Sequence, residues 1–107
     1  MERFGPRFLE RVYTPAEIMV CRGRMPELAA RFAAKEAVSK ALGVGMRVLS
    51  YNGIYFRDVE TLPDRFGKPH VVLHGRAASR AQELGLTEWA ISLSHERDIA
   101  IAFVVAQ

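Results

Sequence analysis

Apolar positions recur at helical spacing through the first part of the chain, then alternate or run on without interruption towards its end. Arg7 to Tyr13 reads as a short helix behind the Gly5-Pro6 breaker. Thr14-Pro15-Ala16-Glu17 opens a second helix: Thr14 caps it, Pro15 suits its first turn, and Glu17 completes a capping box. That helix runs to about Cys21, and Gly23 to Pro26 break it. The strongest pattern follows from about Pro26 to Leu42, rich in Ala, Leu, Glu and Lys and ended by Gly43.

Val44 to Met46 then read as a loop. The β-formers from Val48 to Glu60, broken by Asn52-Gly53, predict one or two strands. Pro63 to Pro69 is rich in turn residues, and His70 to His74 is a short strand. Gly75 to Leu84 reads as a helix closed by Gly85. Two strands finish the chain, Glu88 to Ser94 and Ile99 to Val105, with a tight turn at His95 to Asp98. The last, IAIAFVVA, is almost continuously apolar, which predicts a central strand covered on both faces. Helices first and mostly antiparallel strands later give an α+β domain.

Composition narrows the reading. The 107 residues fit one small domain, and a chain of this size gains from burial in an oligomer interface. The single cysteine, Cys21, excludes an internal disulfide framework and suits a small apolar role better than a reactive one. No apolar run approaches the ~20 residues of a membrane span, and MERFGPRFLERVY lacks the apolar centre of a secretory signal. No membrane partner and a cytoplasmic location are the expectation. A net charge of +3 favours anionic partners without choosing among them. No RNA- or DNA-binding motif is present and the aromatics read as core, so no nucleic-acid partner is expected.

The candidate chemistry lies on the long helix. At about 100° per residue, Lys35, Ser39, Phe32, Glu36 and Lys40 share one arc, which reads as the open side. Ala34, Ala37, Val38, Ala41 and Leu42 read as the packing side. Glu36 and Lys40 are i,i+4 neighbours, so a surface ion pair and a catalytic pair are both open readings. On the first helix, Arg7 and Arg11 (with Arg3 in the same spacing) stack into a basic stripe. His70 and His74 are read on one strand face, and without a third ligand no zinc site is assigned.

The string FAAKEAVSKALG followed by Val44-Gly45 closely resembles the central motif of holo-acyl-carrier-protein synthases, the short trimeric type of 4′-phosphopantetheinyl transferase. RFLERVYT with Glu17, Gly67-Lys68-Pro69 and Ser92-Leu93-Ser94-His95-Glu96 resemble further segments of the family in the same order. The resemblance implies a mostly antiparallel sheet packed on a long central helix. It implies transfer of 4′-phosphopantetheine from coenzyme A to a serine of an acidic acyl carrier protein, with release of 3′,5′-ADP, in fatty acid biosynthesis. It further implies Mg²⁺ held by Glu36, and Lys40 at the transferring phosphate. Coenzyme A contacts are implied for Lys35, Ser39, Gly43, Lys68, Ser94 and His95, carrier contacts for Arg7 and Arg11, and a homotrimer with sites between subunits.

The family's opening strand, whose Asp is a second metal ligand, has no match here; the first Asp is Asp58. The expectation is one transferase domain over residues 1–107, incomplete at its amino terminus. The alternative is a non-catalytic basic module that binds an acidic carrier protein through Arg7, Arg11 and their basic neighbours.

Overall fold

A computed structural model describes residues 6–43, 55–96 and 99–107. Three helices lead: α1 (Pro6–Val12), α2 (Pro15–Cys21) and α3 (Met25–Ala41). A short 3-10 turn (Phe56–Asp58) precedes β1 (Val59–Pro63) and β2 (Pro69–Leu73). Helix α4 (Gly75–Leu84) then leads into β3 (Trp89–Glu96) and β4 (Ile99–Ala106).

The expected helices all form. The Thr14 side chain accepts from the Glu17 N–H at 3.1 Å, and the Glu17 carboxylate accepts from the Thr14 N–H at 3.0 Å, so the capping box is complete. Helix α4 ends at Gly85, whose φ of 71° is the left-handed cap that Gly adopts without strain. Among the described residues no helix is long and apolar enough to cross a membrane.

The strands differ more from expectation. The loop expected at Val44–Met46, the first part of the Val48–Glu60 strand region and the residues 97–98 of the last turn lie outside the described residues. Residues 56–58, expected as strand, form the 3-10 turn, because Asp58 turns the chain: its N–H donates to the Tyr55 carbonyl at 3.0 Å. Strand β1 therefore starts later and runs past Glu60 to Pro63. His74 falls outside β2 and sits at the N-cap of α4, so it does not share a strand face with His70. At the far end the strand extends through His95 and Glu96, placing both before the turn.

β1 pairs antiparallel with β2 and β3 with β4, giving two two-stranded sheets among the described residues. Helix α3 packs on β1, β3 and β4 and also meets α2. One end of α3 joins Val12, Tyr13, Cys21 and Leu28 in a helical core with Phe56. The other contributes Val38 and Leu42 to a second core with Val59, Ala77 and Ala81. Cys21 is buried, and burial pushes its thiol up from the ordinary range, which fits the small apolar role.

Strand β4 departs from the central position its apolar run predicted. Ile99, Ile101, Phe103 and Val105 are exposed, and the residues between them are half-buried. Among the described residues the strand lies on α3 by one face, and its other face is exposed.

Candidate active site

The site is organised by a charge buried beneath it. Helix α3 packs against α2, β1, β3 and β4, and Lys35 is among its buried residues. Its ammonium contacts Glu17 Oε1 at 2.8 Å, the Phe56 carbonyl at 2.9 Å and the Val59 carbonyl. Neither Lys35 nor Glu17 has any exposed side-chain surface. Glu17 Oε2 also accepts from the Thr61 N–H at 2.9 Å. One carboxylate thus ties α2, α3 and β1 together. Burial pulls the Lys35 ammonium down from the usual lysine range, and the adjacent Glu17 charge opposes that pull.

This corrects the wheel. Lys35 and Ser39 were placed on the open side; both are buried, and Lys35 has all three ammonium protons engaged inside the fold. In this position the Lys35 ammonium is directed to partners inside the fold rather than to the surface. Ala41, assigned to the packing side, is exposed.

Glu36 and Lys40 do face outwards. The i,i+4 ion pair between them does not form; among the described residues neither side chain has an ionic partner. The helix that carries them is fixed at both ends of this face. Phe32 stacks on Phe56 with ring centroids 5.2 Å apart. Beyond Lys40, Gly43 takes φ 72°, and Arg80 of α4 donates to the Leu42 carbonyl at 3.1 Å.

A hollow of about 330 Å³ lies between α3, the β1–β2 turn and β3, lined by Arg31, Gly67, Pro69, Leu93 and His95 among others. It brings the Gly67-Lys68-Pro69 turn and the Ser94-His95 segment together. The turn is locked by Asp64, whose Oδ1 accepts from the N–H groups of Phe66 (2.8 Å) and Lys68 (2.9 Å). Lys68 is exposed on it. Leu93 and His95 line the hollow, so Ser94 between them faces the other side of β3. Glu36 and Lys40 do not line this hollow.

A larger groove of about 850 Å³ is lined by Arg7, Glu10 and Arg11 of α1, Thr14 and Pro15, Tyr55, Arg57, Asp58, Glu60 and His74. On its floor Glu60 Oε2 accepts from the Thr14 hydroxyl, and Glu60 Oε1 lies 2.9 Å from His74 Nε2. Burial pushes the Glu60 carboxyl up, but the Thr14 and His74 hydrogen bonds outweigh it and leave the group below its ordinary value. Asp58 is shifted upwards by burial. Glu17's buried partnership, Arg57, Glu60 and His74 carry no sequence motif; their roles follow from which elements meet.

Among the described residues no three His, Cys, Asp or Glu side chains gather as a metal cage. The exposed Glu36 carboxylate, unpaired among the described residues, nonetheless suits Mg²⁺, which takes one or two protein carboxylates and completes its shell with substrate phosphates and water.

Known proteins share both the sequence and the fold. The sequence pattern of the 4′-phosphopantetheinyl transferase superfamily matches residues 1–104. The holo-[acyl-carrier-protein] synthase of Herpetosiphon aurantiacus is 50% identical over 98% of this chain and 84% of its own length. That of Dehalococcoides mccartyi is 51% identical over 98% of this chain and 83% of its own. Among solved structures, the Helicobacter pylori holo-[acyl-carrier-protein] synthase in complex with coenzyme A superposes with a TM-score of 0.81 at 31% identity, covering 99% of this chain and 86% of that one. The Neisseria meningitidis enzyme gives 0.77 at 38% identity, covering 99% and 84%. With its motif helix, its two antiparallel hairpins and nearly its whole length matched, this chain belongs to the 4′-phosphopantetheinyl transferase superfamily.

Proposed function

We propose that this chain is a holo-acyl-carrier-protein synthase, transferring 4′-phosphopantetheine from coenzyme A to a serine of an apo-acyl carrier protein. The observation that carries the reading is the identity of about half the residues with synthases over 98% of the chain. The serine oxygen attacks the pyrophosphate phosphorus that bears pantetheine. The phosphorus–oxygen bond to the nucleotide breaks, 3′,5′-ADP leaves with the electron pair, and the serine proton passes to a base or solvent.

Each part has residues suited to it. The exposed Glu36 carboxylate, without an ionic partner among the described residues, would hold Mg²⁺, which when bound would supply charge neutralisation at the pyrophosphate. Lys40, one turn on and without an ionic partner among the described residues, offsets charge that develops on the transferring phosphate. His95, beside the Gly67-Lys68-Pro69 turn, contacts the nucleotide portion of coenzyme A, with Lys68 at its phosphates. Arg7 and Arg11 receive the acidic carrier. The reading places the work in the cytoplasm and in fatty acid biosynthesis.

The bare face of β4 supports a homotrimer. Four large apolar side chains alternating along one strand are a costly surface to leave in water, and further copies of the chain cover them. The deciding assay incubates the protein with apo-carrier, coenzyme A and Mg²⁺ and weighs the carrier. A mass gain of one phosphopantetheine, abolished by chelation of the metal, is the expected outcome. Carrier that binds but gains no mass would instead support a non-catalytic carrier-binding module.

A further inference from the structure

The large groove holds charges of both signs, but they are not equally available. Asp58 accepts from the backbone N–H groups of Tyr55, at 3.3 Å, and of Arg76. Both oxygens of Glu60 are engaged, one by the Thr14 hydroxyl and one by His74. These carboxylates are consumed by the fold. Arg7, Arg11 and Arg57 are exposed, and among the described residues none of their side chains has an ion pair or a hydrogen bond. Glu10 is the remaining acidic side chain on the lining. Among the described residues the groove therefore offers three guanidinium groups against one free carboxylate.

The three come from two elements. Arg7 and Arg11 stand one turn apart on α1, and Arg57 rises from the 3-10 turn that packs against α1. Arg57, Glu10 and Pro15 also line a neighbouring hollow of about 290 Å³, so the surface continues past Arg57. An open, extended surface of this kind suits a chain segment carrying several carboxylates better than a small anion. A guanidinium fork is the side chain that pairs best with carboxylates.

We propose that Arg57 is a third anchor of the carrier-docking groove, lining it together with Arg7 and Arg11 and receiving an acidic segment of the apo-carrier. The proposal rests on the reading that Arg7 and Arg11 bind the carrier. Nothing in the Arg57 position (an exposed side chain on a three-residue turn) is needed for the packing of the fold.

The test titrates apo-acyl carrier protein into the full chain by calorimetry, with wild type, Arg57→Glu, Arg57→Gln and Arg11→Glu compared and coenzyme A titrated separately. Arg57→Glu is expected to weaken carrier binding about tenfold or more, because reversal sets like charges against each other. Arg57→Gln is expected to weaken it less, and both are expected to bind coenzyme A as wild type does. The salt dependence of carrier binding should flatten in both variants. Wild-type carrier affinity in both Arg57 variants, with Arg11→Glu impaired, overturns the role of Arg57 alone. Failure of the wild type to bind carrier overturns the docking reading itself. Should Arg57→Glu melt early, Arg57→Gln decides by the same criteria.

Discussion

Lys35 Nζ lies 2.8 Å from Glu17 Oε1 with both side chains shut off from solvent, while the next residue along the helix, Glu36, faces water. A single turn of α3 thus carries one charge committed to the fold and one exposed to solvent. Removing one partner of such a pair strands the other. Lys35→Met should cost about 3–5 kcal/mol in urea unfolding, since it also orphans two buried carbonyls. Combining it with Glu17→Gln, which keeps an acceptor for the Thr61 N–H, should cost less than Lys35→Met alone. A double variant as unstable as the sum of its parts would show that the two groups do not act as a pair.

Glu36→Gln should separate activity from stability. The side chain is exposed and, among the described residues, unpaired, so the change should move unfolding by no more than about 0.5 kcal/mol. Phosphopantetheine transfer, read from the mass of the carrier, should disappear. Substantial turnover by this variant would exclude Glu36 as a metal ligand.

The same helix shows what was legible in the chain and what was not. Its limits, its Gly43 stop and the outward placement of Glu36 and Lys40 are written in local pattern, where periodicity and caps decide. The inward turn of Lys35 is not. A wheel assigns a lysine to water because it counts one apolar stripe, and α3 is covered by α2 on one flank and by strands on the other. A charge can be buried on that helix once Glu17, 18 positions earlier, arrives to meet it. Spacing in sequence carries no sign of that meeting. Strand β4 misled for a related reason. Eight apolar residues in a row are the same whether the second face meets the chain's own core or is left for another copy.

That bare face gives a third expectation. Phe103 is 70% exposed and Ile101 46%. Replacing both with Lys should convert an assembled protein into monomers by light scattering, with the helical circular dichroism retained. An unchanged assembly mass would place the interface elsewhere.

Acid should loosen the groove floor. Glu60 titrates below its ordinary value in the folded protein, so folding favours its ionised form. Its contribution is fully present above the unfolded value of about 4.5 and is lost as pH falls through the lower folded value. Asp58, shifted up, has the opposite sign and costs stability once ionised. Glu60→Gln should therefore flatten the acid limb of unfolding free energy against pH, and Asp58→Asn should not.

Thr14 closes the account of the groove with a constraint on substitution. Its hydroxyl accepts from the Glu17 N–H while donating to Glu60, so the position needs a group that does both at once. Asp ranks at least as high as Thr among helix caps, and an engineer choosing by capping strength alone would accept it. Ionised, it has no proton to give and would set a second carboxylate against the first. Ser, with the same hydroxyl, reproduces both bonds, so tolerance at this position is set by a strand that joins the helix 46 residues later in the chain.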